Sequence, residues 1–343
     1  MPPFLFLSLW LVMKAVGLEG CFAANSEFRI KNSELACGRT GGEWACTIGC
    51  FDGLHRGHAA LLGQLGDWAE EQGLGRLVVT MDPYPGELFG RGGERLEERE
   101  DKLERLAGMA DEVVELRFDR CVAALSAEEF MERVLRRLGV KALLMGYDHS
   151  FGRPQGETDD DYTRMGRRWG IDVRRGEPLL SGGEPVSSTR IRRLLGEGRV
   201  EDAAGLLGRD YCLVGRVVHG AGRGRGMGFP TLNVVPRDGR LMWPREGAYA
   251  VRVRLGGRVW KGMAGVGERP TFGDEQGRTI EVNLFGFEGD AYGEPVGVEF
   301  VGWLREERRF ADADSLRRQL EKDREGASRM LVRSEERGVR REE

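Results

Sequence analysis

Ile48-Gly49-Cys50-Phe51-Asp52-Gly53-Leu54-His55-Arg56-Gly57-His58 is the stretch on which the reading of this 343-residue chain turns. An apolar strand pattern from Trp44 to Ile48 enters a glycine-punctuated turn. A helical pattern follows over 59–70, with Leu61, Leu62, Leu65 and Trp68 at helical spacing. Amides at a helix start point toward any anion held there, and the helix dipole adds to the attraction. Gly53 and Gly57 let the backbone approach a ligand closely. His55 and His58 add side-chain donors, and either could be cationic near neutral pH.

Downstream the same alternation repeats. Residues 77–81 form a buried-strand pattern that ends in Asp82-Pro83-Tyr84-Pro85, an extended turn forced by its prolines. A helix is predicted over 97–109, a strand over 113–116, and a further helix capped by Ser126, with Glu129 completing a capping box. The strand at 141–145 runs into Gly146-Tyr147-Asp148-His149-Ser150-Phe151-Gly152. Strands alternating with helices predict a parallel sheet with helices on both faces. No G-x-G-x-x-G follows the first strand and no G-x-x-x-x-G-K-[ST] is present, which argues against a dinucleotide dehydrogenase and a P-loop. In Val186-Ser187-Ser188-Thr189-Arg190-Ile191-Arg192, three hydroxyls begin a helix, where they can cap it and donate to phosphate, with Arg192 as a charged clamp.

From Tyr211 the pattern changes to short strands at 212–218, 248–255, 259–266, 279–285 and 296–303, the mark of a small antiparallel barrel. A closing helix is expected over 312–323, followed by a loose, charged tail at 326–343. The domain boundary falls near residue 209. Gly and Arg interleave over 219–228, a nest of amides suited to phosphate. Glu281 lies among apolar neighbours on a strand, a setting that suits a carboxylate acting as a base.

Composition narrows the classes. The net charge of −4 gives no overall basic balance for nucleic acid or a membrane surface. Six scattered cysteines without a C-x-x-C pair argue against a zinc site or a disulfide framework and fit a reducing compartment. The apolar run over 3–12 has no Lys or Arg before Lys14 and is short for a membrane span.

The motif at 49–58 resembles the H-x-G-H phosphate-binding motif of the nucleotidylyltransferase superfamily. With Phe51-Asp52-Gly53 it resembles the adenylyltransferase half of bacterial bifunctional riboflavin kinase/FAD synthetases. Residues 186–192 are similar to the partner motif I-S-S-T-x-x-R, and 146–152 to G-x-D-x-x-F-G. Residues 228–233 resemble the G-F-P-T-A-N motif of riboflavin kinases, with Leu232 in place of alanine. The resemblance runs over 28–323.

It implies a nucleotidylyltransferase-type α/β domain over 28–208 and a riboflavin kinase barrel over 209–325 with a C-terminal helix. Residues 1–27 then read as an extension from an upstream start. The implied activities are ATP-dependent phosphorylation of riboflavin to FMN and adenylylation of FMN to FAD with release of pyrophosphate. Mg2+ accompanies ATP, and flavins are substrates and products. By the same likeness, His55 and His58 act in catalysis, and Gly49, Phe51, Asp52, Gly53, Gly57, Ser187, Ser188, Thr189 and Arg192 bind ATP phosphates. Asp148, Phe151 and Arg305 lie near the flavin. In the kinase half, Gly222, Gly228, Pro230 and Asn233 hold ATP, Thr231 and Asn233 take Mg2+, and Glu281 is the base. Partners are then the small molecules riboflavin, FMN and ATP, without nucleic acid or membrane, in a cytoplasmic monomer or weak homo-oligomer.

Cys50 replaces the family's usual asparagine and Tyr84 its usual histidine. These departures keep open a riboflavin kinase with an impaired adenylyltransferase half. A non-catalytic flavin- or RNA-binding protein on the same folds is the other alternative.

Overall fold

The computed structural model describes residues 28–31, 42–90, 93–153, 156–219, 228–268 and 278–342. The extension at 1–27, Gly222 with most of the Arg/Gly stretch, and the turn at 269–277 lie outside the described residues. Contacts divide the chain into two compact units. One holds the chain up to Gly93 and Arg99–Val186; the other holds Glu94–Glu98 and Ser187–Glu343.

In the first unit, β1 (Phe28–Lys31), β2 (Trp44–Ile48), α1 (Arg56–Gln72), β3 (Gly75–Asp82), α2 (Arg99–Ala107), β4 (Glu112–Arg117), β5 (Val140–Met145), α3 (Asp159–Arg168) and β6 (Asp172–Arg175) follow in order. The strands form one sheet in the order β1-β4-β3-β2-β5-β6, parallel except for β1, which pairs antiparallel with β4. Successive strand residues face opposite sides of the sheet. Val78 and Val113 accordingly pack with Leu62, Leu65 and Trp68 of α1 and Leu103 and Leu106 of α2. Leu77, Val79 and Val114 pack on the other face with Phe130, Val134 and Tyr162. The predicted capping box is present: Ser126 accepts from the Glu129 amide, and Glu129 accepts from the Ser126 amide at 2.9 Å. β6 was not anticipated because Asp172-Val173-Arg174-Arg175 offers only one apolar residue to a strand pattern.

The second unit begins with α4 (Ser188–Gly196) and α5 (Val200–Leu207), then β7 (Tyr211–Val218), β8 (Leu232–Pro236), β9 (Gly247–Leu255), β10 (Arg258–Glu268), β11 (Arg278–Leu284), β12 (Pro295–Glu306) and α6 (Ala313–Glu342). Its strands close into a six-stranded antiparallel barrel, β8-β11-β10-β9-β12-β7. Fully buried Tyr249 and Phe300 meet edge to face at 5.1 Å. Residues 94–98 join this unit by pairing. Arg95 bridges Leu241, donating to the Arg240 carbonyl and accepting from the Met242 amide. Glu97 and Glu98 of this strap pair with Arg209 and Arg237.

The loose tail expected over 326–343 is corrected. α6 continues to Glu342, because Ala327 and Leu331, both fully buried, pack on Ala250, Met263 and Val301 of the barrel's outer face. Among the described residues no helix is long and apolar enough to cross a membrane.

Candidate active sites

In the first unit the opening motif is a turn under backbone strain. Phe51 and Leu54 adopt positive φ, 51° and 30°, and Gly53 lies at 77°. Non-glycine residues in that region persist only where their surroundings fix them. Gly57 is required for close approach, since a Cβ there would meet the Val186 carbonyl at 2.7 Å. His55 caps α1: its Nδ1 accepts from the His58 amide at 3.2 Å. An accepting Nδ1 carries no proton, so the His55 proton sits on Nε2. The two imidazoles stack at 3.7 Å, and Phe51 meets His58 edge-on at 5.2 Å.

The expectation that either histidine is cationic near neutral pH is corrected for His58. Burial, reinforced by His55, holds it well below 6.5, and its buried Nδ1 has no hydrogen-bond partner. The turn therefore holds His58 as a neutral hydrogen-bonding group. Asp52 is buried and accepts from the Tyr84 hydroxyl at 3.3 Å, so the unusual tyrosine has a structural partner in the motif itself.

The loop at 146–152 is held by a residue that sequence reasoning missed. Arg175 of β6 donates to the carbonyls of Gly146 at 2.6 Å, Tyr147 at 3.3 Å and His149 at 3.0 Å, while Asp159 anchors its guanidinium. Asp148 is exposed at the loop's tip. Phe151 is buried in the core against Phe130 and Tyr162, and its amide and carbonyl both bond the Tyr162 hydroxyl. Its ring thus anchors the loop within the core. His149 stacks near Phe151 at 6.2 Å, and burial pushes it down to about 4 with its Nδ1 unpartnered.

In the second unit Ser187 caps α4 by accepting from the Arg190 amide, as the run of hydroxyls predicted. Ser188 and Thr189 follow in the first turn. Arg192 donates through Nε to the Glu94 carbonyl at 2.6 Å.

The barrel brings together residues far apart in the chain. Asn233 on β8 lies directly opposite Glu281 on β11, Glu281 opposite Gly265, Gly265 opposite Ala248, and Ala248 opposite Arg305. Opposed residues of antiparallel strands share a face, with Cβ atoms about 5 Å apart. Asn233, Glu281 and Arg305 therefore line one row on the barrel's outer face, with small residues between Glu281 and Arg305. Arg305 pairs through two nitrogens with buried Asp323 of α6, at 3.0 and 2.8 Å, so this candidate flavin contact also ties β12 to the helix. Asn283, unmarked in the sequence, donates to the Pro230 carbonyl at 2.7 Å and fixes the turn carrying Gly228, Pro230 and Thr231. Glu307 also senses this row: burial and the charges of Glu246 and Glu281 raise its carboxyl.

Among the described residues no group of three or more His, Cys, Asp or Glu side chains could hold a metal ion. The oxygen donors of Thr231 and Asn233 suit Mg2+, which takes few protein ligands and completes its shell with phosphates and water.

Comparison with known proteins supplies the family. The FAD synthetase family model matches residues 39–190 and the riboflavin kinase model residues 207–331. The bifunctional riboflavin kinase/FMN adenylyltransferase of Escherichia coli K12 is 38% identical over 285 residues, covering 81% of this chain and 89% of that protein. That of Listeria monocytogenes is 33% identical over 294 residues, covering 84% and 93%. A crystal structure from Streptococcus pneumoniae, described as a macrolide-efflux protein, superposes with a TM-score of 0.77 at 30% identity, covering 84% of this chain and 95% of that one. With both family models in order and curated relatives aligned over most of their length, the chain belongs to the bifunctional riboflavin kinase/FMN adenylyltransferase family.

Proposed function

We propose that the chain converts riboflavin to FMN and FMN to FAD with ATP, using the 209–325 region for phosphorylation and the 28–208 region for adenylylation. The observation that carries this reading is the pairing of Asn233 with Glu281 across two barrel strands. It brings together an amide that we assign to the nucleotide and a carboxylate that we assign as the base.

In the barrel, Glu281 removes the proton from the 5′-hydroxyl of riboflavin as that oxygen attacks the γ-phosphate of ATP and ADP leaves; a neutral hydroxyl gains from such a base. Thr231 and Asn233 would hold Mg2+, which would supply positive charge to the triphosphate of ATP. Gly228 and Pro230, steadied by Asn283, position the nucleotide, and Gly222 belongs to the same assignment. Arg305 acts at the flavin side.

In the first unit, the FMN phosphate attacks the α-phosphate of ATP and pyrophosphate leaves. The nucleophile is already anionic, so no base is required. The backbone around Gly49, Phe51, Asp52, Gly53 and Gly57, with the imidazoles of His55 and His58, donates to the triphosphate and to charge developing in the transition state. Ser187, Ser188, Thr189 and Arg192 are assigned to phosphate of ATP, and Asp148 and Phe151 to the flavin end. We place the enzyme in the cytoplasm as a monomer or weak homo-oligomer with no nucleic-acid partner.

Chromatography of flavins after incubation with riboflavin, ATP and Mg2+ tests the reading. FMN followed by FAD is expected. FMN that never proceeds to FAD would favour the impaired-adenylyltransferase alternative, and neither product from folded protein would overturn the assignment.

A further inference from the structure

Lys102 has no part in the chemistry above, yet it is fully buried. An ammonium carries three donors and no acceptor. Here Nζ lies 3.1 Å from Thr80 Oγ1, 3.4 Å from the Cys50 carbonyl and 3.4 Å from the Met81 carbonyl, with the Tyr84 ring centroid at 4.7 Å. Thr80 in turn donates to the same Cys50 carbonyl at 3.3 Å. A donor from β3 and one from α2 therefore converge on the peptide oxygen immediately before Phe51, the first strained residue of the turn. In a trans peptide the N–H points opposite to the C=O. A fixed Cys50 carbonyl thus aims the Phe51 amide away from Lys102. Tyr84, under the same ammonium, carries the arrangement on to Asp52 through its hydroxyl. The charge sits beneath the turn, in a unit whose His58 is held neutral by burial.

We propose that Lys102 is a positioning residue for adenylyl transfer. With Thr80 it clamps the Cys50–Phe51 peptide and holds the Phe51–Leu54 turn in the strained form that presents its amides, His55 and His58 to the triphosphate. The clamp acts through main chain and through Tyr84, so it does not depend on the side chain at position 50. The proposal rests on reading that turn as the triphosphate cradle.

The test measures kcat and KM for FMN adenylylation by Lys102→Met and Thr80→Val in the full chain, per folded molecule, with riboflavin phosphorylation as the internal control. Misplacing reacting groups by about 1 Å costs on the order of 100-fold. Lys102→Met is expected to lower kcat for FAD formation by about 10- to 100-fold and Thr80→Val by about 3- to 10-fold, with phosphorylation within about twofold of wild type. A purely structural role would lower the melting temperature while leaving kcat per folded molecule unchanged, and that result overturns the proposal. If Lys102→Met does not fold, Thr80→Val decides: selective loss of FAD formation supports the clamp, and wild-type kcat refutes it. His58→Ala separates the two layers of the argument. If it leaves FAD formation intact, the cradle reading fails whatever Lys102 does.

Discussion

The two candidate sites answer different chemical demands. The turn of the first unit is a run of adjacent residues under strain, fixed from beneath by buried polar groups and offering amides and imidazoles. The barrel row is assembled by strand register, its Asn233 and Glu281 lying 48 positions apart in the chain, and it is centred on a carboxylate. An ionised phosphate nucleophile needs only its path and its developing charge managed, whereas a hydroxyl must also lose a proton. The difference teaches that phosphate chemistry alone does not dictate a base; the protonation state of the nucleophile does.

The sharpest way to break this contrast is Glu281→Gln. Removing a general base costs about 100- to 10,000-fold, and riboflavin phosphorylation should fall by that amount in a flavin assay. His58→Ala probes the other side: losing one preorganised donor costs about 100- to 1,000-fold, and this should appear in FAD formation from FMN. The barrel row also depends on the helix behind it. Leu331→Ala should destabilise the second unit by about 2–5 kcal/mol, measured by denaturant unfolding, because the side chain is fully buried against the barrel. A change near zero would restore the loose-tail reading.

The smallest effect concerns pH. Folding lowers His58 and His149 from 6.5, so below 6.5 the unfolded chain binds protons more readily and stability falls. For His149 the loss runs from 6.5 through the folded value of about 4. His149→Phe should flatten that part of the melting-temperature profile; an unchanged profile would remove His149 as its source.

Much of this was legible in the sequence because it is local. The turn, its glycines, the Ser126 and Ser187 caps and most barrel strands follow from adjacent residues. The pairing of Asn233 with Glu281 was not, since register is set by closure of the barrel. Nor was the strap at 94–98: it continues what reads as a helix, and only its pairing with Leu241 takes it into the second unit. Nothing in the sequence marked Lys102 within the helix predicted over 97–109, and its burial depends on the oxygens it meets, which come from other parts of the chain. The tail was misread because charge dominates its composition while two buried apolar residues, Ala327 and Leu331, tie it to the barrel.

The most direct test supplies Glu281→Gln with FMN, ATP and Mg2+ and follows FAD by chromatography, with riboflavin as the parallel substrate. The account predicts FAD formation within about twofold of wild type alongside loss of FMN formation, since the adenylylating turn uses no base. Equal loss of both reactions in the folded variant would contradict two sites with separate chemistry.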